Sequence, residues 1–262
     1  MNSFKKNHIK LITSTGGTVL DNLFITKPGV AITKVSSLTD TAKLIFDTMN
    51  INIENTDAEQ SAEFNSRITY LSFKDEKDLT NRLNSNMVNK FQHLSVYNDE
   101  YVTFLISGVA VETELEFIAH NEASVARLTS SKTNAQNDPL YKLVTFDTSD
   151  EMIKIQKQLI LQNITMREKL IAKYGNDFLL KNKNNREVFN LLNVGSKAVS
   201  FTITMSLKEW HKTLIGRISN SGVELDMLET MEIIAKQLKD RYPEVIKTVE
   251  EYYEMGNGKK YE

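Results

Sequence analysis

Between His120 and Lys132 the chain gathers hydrogen-bond donors in a pattern that suits an anion: His120, Asn121, Ser124, Arg127, Thr129, Ser130 and Lys132 fall within one short stretch. Such groups can satisfy the oxygens of a phosphate, an arginine as a planar fork and a lysine as a point charge. The same composition also describes a solvated polar loop after a helix, because charge clusters mostly serve solvation. Metal chemistry is not indicated. The four histidines, His8, His93, His120 and His211, are scattered without ligand spacing. The chain has no cysteine, which removes thiolate metal sites, disulfides and cysteine nucleophiles. Neither a P-loop nor a Gly-x-Gly-x-x-Gly occurs, so nucleotide phosphates would rest on side chains or helix N-termini.

The placement of these donors depends on the elements around them. His8–Thr13 (HIKLIT) alternates and carries β-branched residues, which predicts a strand. Leu38–Met49 sets Leu38, Ala42, Ile45 and Met49 on one helical face. Arg67–Phe73 (RITYLSF) predicts a second strand, followed by a polar helix from Glu76 to Phe91. Tyr101–Ser107 (YVTFLIS) predicts a third, with Gly108 breaking the chain before a helix that starts near Val109 and runs into Glu116–His120. From Asp150 to about Tyr174, Met152, Ile155, Leu159, Ile160, Ile164 and Leu170 recur at helical spacing, and the Gly175–Asn176 pair is expected to end that helix. Phe201–Met205 (FTITM) predicts a fourth strand, followed by helices over Leu207–Ile218 and Glu224–Asp240 and a last short one after Pro243. Strands come early and helices late, without repeats, low-complexity segments or a linker. The expectation is one α+β domain, with a mixed or antiparallel sheet flanked by long helices.

Ile12–Val19 (ITSTGGTV) resembles the Thr-Gly-Gly-Thr opening of bacterial asparaginases, whose threonine is an acyl-transfer nucleophile. No second cluster of threonine, aspartate and lysine follows, and the segment reads as a Gly-Gly turn. The 262 residues suit one large domain or two small ones, and 32 Lys+Arg against 34 Asp+Glu exclude the basic field of a nucleic-acid packager. No apolar run approaches a membrane span, and the start lacks a secretory signal, so a cytoplasmic location is expected.

The order of pieces around His93–Tyr141 resembles the flavin-dependent thymidylate synthases. In that family a His-x-Ser/Thr-Val-x-Glu-His segment precedes a Phe-Thr-Phe strand, and a helix leads into Arg-His-Arg, seven residues, Ser. Here His93-Leu94-Ser95-Val96 stands over the first element, with Asn98 and Asp99 where Glu and His usually fall. Val102–Val109 stands over the strand, and Ala119-His120-Asn121 followed by Thr129 over the signature. From Phe201 to Val245 the chain runs like the family's strand, helix, arginine turn and closing helix, with Arg217 on the nucleotide-contacting arginine. The resemblance covers residues 90–250 in outline.

It implies methyl transfer from methylenetetrahydrofolate to carbon 5 of dUMP, with FAD carrying the hydride and NADPH reducing it, in a homotetramer with shared active sites. Thr129 becomes the catalytic candidate. His93, Ser95, His120, Asn121 and Lys208 become the FAD side. Glu116, Arg127, Thr129, Ser130, Lys132 and Arg217 become the nucleotide side. The departures are specific. Both signature arginines are replaced, by Ala119 and Asn121, and the arginine expected two residues after Thr129 is Ser131. Glu116 replaces a glutamine, and Ser206, Lys208 and Lys212 stand where the family prefers Asn, Arg and Asn. Two other readings therefore stand beside the first: a related enzyme with an altered base or another C5 modification such as hydroxymethylation, and a non-catalytic nucleotide-binding or assembly protein.

Overall fold

The structure, a computed structural model, describes residues 3–48, 57–70, 93–119, 122–127, 140–143, 149–181, 197–218 and 222–252. Its strands are β1 (Thr18–Leu20), β2 (Phe24–Lys27), β3 (Gly29–Val35), β4 (Tyr101–Ala110), β5 (Ser124–Arg127), β6 (Tyr141–Lys142) and β7 (Ala198–Ser206). The helices are α1 (Ser3–Ser14), α2 (Asp40–Thr48), α3 (Asp57–Tyr70), α4 (Val111–Ile118), α5 (Asp150–Lys181), α6 (Leu207–Ile218), α7 (Leu225–Lys239) and α8 (Pro243–Tyr252). The class is α+β. One sheet has the order β1-β2-β6 and the other β3-β4-β7-β5. Two compact units result: Met1–Ala31, Leu105–Ile203 and Glu224–Thr230 form the first, and Ile32–Phe104, Thr204–Val223 and Met231–Glu262 the second.

In the first unit β1 pairs antiparallel with β2, and β2 pairs parallel with β6, setting Phe24 opposite Tyr141 and Ile25 opposite Lys142. Asp21, Asn22 and Leu23 join β1 to β2, the first two at φ of 53° and 54°, left-handed angles that Asp and Asn tolerate and that fit a tight hairpin. Ile12, Ile25, Leu140 and Ala198 form one buried cluster, and Phe24, Tyr141, Leu143 and Ile160 another. Ile153 and Ile164 of α5 pack on the second, which fixes the docked face of that helix.

In the second unit Trp210 of α6 is fully buried, donates Nε1–H to the Val102 carbonyl at 3.1 Å and meets Phe104 edge-on at 4.9 Å between ring centroids. Ser206 accepts a hydrogen bond from the Glu209 amide at 3.2 Å, the first half of a Ser-x-x-Glu cap that starts α6.

Several expectations need correction. His8–Thr13 is helical, inside α1, because Ile9 and Ile12 three residues apart both reach the core. Arg67–Tyr70 ends α3 rather than starting a strand, and an i,i+4 ion pair between Glu63 and Arg67 at 2.6 Å supports that turn. The rest of that expected strand and the Glu76–Phe91 helix lie outside the described residues. Gly108 does not break β4: at φ +76° it stays within the strand, which runs on to Ala110. A Cβ there would meet Ile25 at 3.2 Å, so glycine fits both the angle and the space. Nor does Gly175–Asn176 end α5, which continues to Lys181. The expected helices near Leu38, Leu207, Glu224 and Pro243, and the strands near Tyr101 and Phe201, are present. Among the described residues no helix is long and apolar enough to cross a membrane.

Candidate functional site

The Gly-Gly segment is a turn between α1 and β1, with Gly16 at φ +85°. Thr15 is occupied structurally: its Oγ1 donates toward the Leu11 and Ile12 carbonyls and lies 2.6 Å from Ser107 Oγ. A nucleophilic role has no support in that geometry.

In the first unit, α4 leads into the segment that resembles the signature. Its N-terminus is Ala110, which offers no capping side chain. Asp226, in the first turn of α7, takes that place: Oδ2 accepts from the Ala110 amide at 2.7 Å and from Thr113 Oγ1 at 2.8 Å. Lys142 lies 3.1 Å from Asp226 Oδ1 and 3.2 Å from Glu229 Oε2, and also donates to the Thr26 carbonyl at 3.3 Å. Its side chain is 1% exposed, which makes this a buried ion pair serving architecture. One aspartate and one lysine thus hold β2, β6, α4 and α7 in register.

Glu116 is half-buried on α4. Burial pushes the carboxyl of Glu224 up, and the like charges of Glu116, Glu112 and Asp226 add to the shift. Among the described residues no group of three metal-ligating side chains forms a metal site.

Arg127 ends β5 with its side chain 55% exposed, and its guanidinium lies 3.9 Å from the buried carboxylate of Glu114. Burial raises the pKa of Glu114, which Arg127 and Lys197 oppose. Lys197 is itself buried and shifted down by that burial, with Glu114 opposing. Two cations therefore act on one buried carboxylate. Deeper in the same unit, His8 Nε2 and Ser200 Oγ are 2.8 Å apart. Burial, with Lys197 adding, holds His8 down at about 4, so its ring is neutral near pH 7.

The second unit carries the remaining described candidates. His93 and Ser95 are exposed at the 3-10 turn Leu94–Tyr97, Lys208 is exposed in the first turn of α6, and Arg217 is half-buried in its last turn. Lys212, one turn beyond Lys208, is exposed and pairs with Glu209 at 3.4 Å. His120, Asn121, Thr129, Ser130 and Lys132 lie outside the described residues. Of the sequence candidates, Glu116 and Arg127 thus belong to the first unit, and His93, Ser95, Lys208 and Arg217 to the second.

Sequence reasoning missed Glu114, Lys142, Lys197 and Asp226. Lys142 had a signal: a lone lysine inside Leu140–Val144 (LYKLV) implies a buried partner. A scan against models of protein families finds no match for this chain, and no curated protein matches it.

Proposed function

We propose that the chain binds a pyrimidine deoxynucleotide and FAD and transfers a one-carbon unit from methylenetetrahydrofolate to carbon 5 of dUMP, as a divergent protein of the flavin-dependent thymidylate synthase type. One observation carries this reading. The 3-10 turn Leu94–Tyr97, β4 and α4 follow one another in the order the resemblance calls for, and α4 stops at Ile118, immediately before the Ala119-His120-Asn121 segment. β5 then ends on the exposed Arg127.

The donor chemistry fits anionic ligands. Arg127 and Arg217 supply guanidinium forks for phosphate oxygens, and His93, Ser95 and Lys208 supply solvent-facing donors for a flavin nucleotide. FAD, when bound, supplies the hydride chemistry, while the side chains bind and orient. A homotetramer with sites shared between copies accompanies this reading.

Arg127→Ala and Arg217→Ala should each weaken dUMP binding by about 1.5–3 kcal/mol, the worth of a charge-assisted hydrogen bond. Isothermal calorimetry on the purified full chain measures this, and unchanged affinity in both variants would refute the phosphate assignment.

A second reading, nucleotide binding without flavin, is favoured by one specific feature: Ala119 and Asn121 stand where the family has its two signature arginines. Titrating FAD into the protein separates the two.

A further inference from the structure

Glu100 sits immediately before β4 in the second unit and is 1% exposed. Its Oε1 accepts hydrogen bonds from two residues of α3, Ser61 through Oγ and Asn65 through Nδ2 at 3.1 Å. Ser61 and Asn65 are four apart, so both lie on the same face of α3, and one oxygen atom gathers that face. Oε2 is buried and has no hydrogen-bond partner among the described residues. The backbone of Glu100 is itself fixed, because its carbonyl accepts from the Leu207 amide at 2.6 Å and the next residue, Tyr101, donates to Ser36 Oγ at 2.8 Å. The carboxyl therefore cannot follow a drifting helix, and α3 must come to it.

A carboxyl in this setting behaves differently in its two protonation states. Neutral, it leaves no bare charge in the interior. Ionised, it has no cation bonded to it among the described residues to offset desolvation. The charged groups on neighbouring elements do not change this. On α3, Glu63 and Arg67 pair with each other at 2.6 Å. On α6, Lys208 is exposed in the first turn and the buried Glu209 pairs with Lys212. On the segment before β4, His93 is exposed, and Asp99 lies next to Glu100 and opposes its ionisation.

We propose that Glu100 is a protonation-controlled latch that holds α3 on the start of β4, closed while its carboxyl is neutral and loosened when it ionises. The proposal goes beyond the reading above and stands whether or not the chain binds flavin. Burial, partly offset by the Ser61 hydrogen bond and reinforced by Asp99, pushes this carboxyl up to about 7, so the latch works near neutral pH.

The sign follows from proton linkage. A carboxyl whose folded pKa exceeds its free value of 4.5 favours the closed state fully below 4.5. That advantage drains away as pH rises to about 7 and changes no further above it. Hydrogen exchange of peptides from Asp57–Tyr70 in the full chain, corrected for intrinsic chemical rates, reads the opening of α3 directly. Its opening constant should rise by roughly tenfold or more between about pH 5 and about pH 7.5, while α8 serves as the internal control. Glu100→Gln keeps the side chain's shape without the charge, so α3 protection should become flat across that range. If Glu100→Gln does not fold, Asp99→Asn leaves the buried group intact, removes the like charge that opposes its ionisation, and should move the wild-type transition to lower pH. A wild-type α3 whose protection does not change between these pH values, or changes equally with α8, would overturn the proposal. So would a profile that Glu100→Gln leaves unaltered.

Discussion

Each unit buries a carboxylate side chain, and the two are treated in opposite ways. Asp226 in the first unit accepts from an amide and a hydroxyl through Oδ2 and has Lys142 3.1 Å from Oδ1. Glu100 in the second accepts from a hydroxyl and an amide side chain through Oε1, leaves Oε2 without a hydrogen bond and is pushed up to about 7. Both organise helices by hydrogen bonding through one oxygen. The difference lies in the cation. With a lysine beside it, a buried carboxylate becomes a fixed strut. Without one, it becomes a group whose contribution depends on pH.

Breaking the strut should have the largest effect. Lys142→Ala leaves Asp226 buried without its cation and should cost about 3–5 kcal/mol in urea unfolding. The double variant Lys142→Met with Asp226→Asn removes both charges and should cost less than the Lys142→Ala change alone, which a double-mutant cycle would show.

His8 gives the next effect, with the reverse pH dependence. Its folded pKa, about 4, lies below the free value of 6.5. Stability is therefore fully present above pH 6.5 and lost as pH falls toward 4, by about 2–3 kcal/mol. His8→Gln should flatten that acid limb in thermal unfolding while leaving the alkaline limb alone. Glu100→Gln should do the converse, adding about 2 kcal/mol near pH 8 and little near pH 4.5. At the small end, Lys239→Ala breaks an exposed pair with Glu250 and should cost under about 1 kcal/mol, vanishing in high salt.

The helices of the C-terminal third were legible in the sequence because their apolar residues repeat at a single period, as in Leu207–Ile218 and Leu225–Lys239. HIKLIT was not, because Ile9, Leu11 and Ile12 satisfy a strand period and a helix period together, and packing around Ile12 decides between them. The hairpin of β1 and β2 was missed although Asp21–Asn22 is its own signal: two residues that accept left-handed angles between two short apolar runs. The exposure of Arg127 agrees with its residue type. Its buried partner Glu114 was not legible, since nothing local in VETELEF separates a buried glutamate from its exposed neighbours Glu112 and Leu115. The long-range partners of Lys142, on β2 and α7, can be known only once the chain is folded.

The central proposal is that this scaffold holds a flavin beside a pyrimidine nucleotide, and a titration of FAD into the 262-residue chain, with and without dUMP, tests it most directly. Two missing arginine contacts at about 1.5–3 kcal/mol each reduce affinity by about two to four powers of ten. The expected result is FAD uptake at micromolar or higher concentration, seen in flavin fluorescence and strengthened by dUMP. No flavin binding at several hundred micromolar, with dUMP present or absent, would contradict the account.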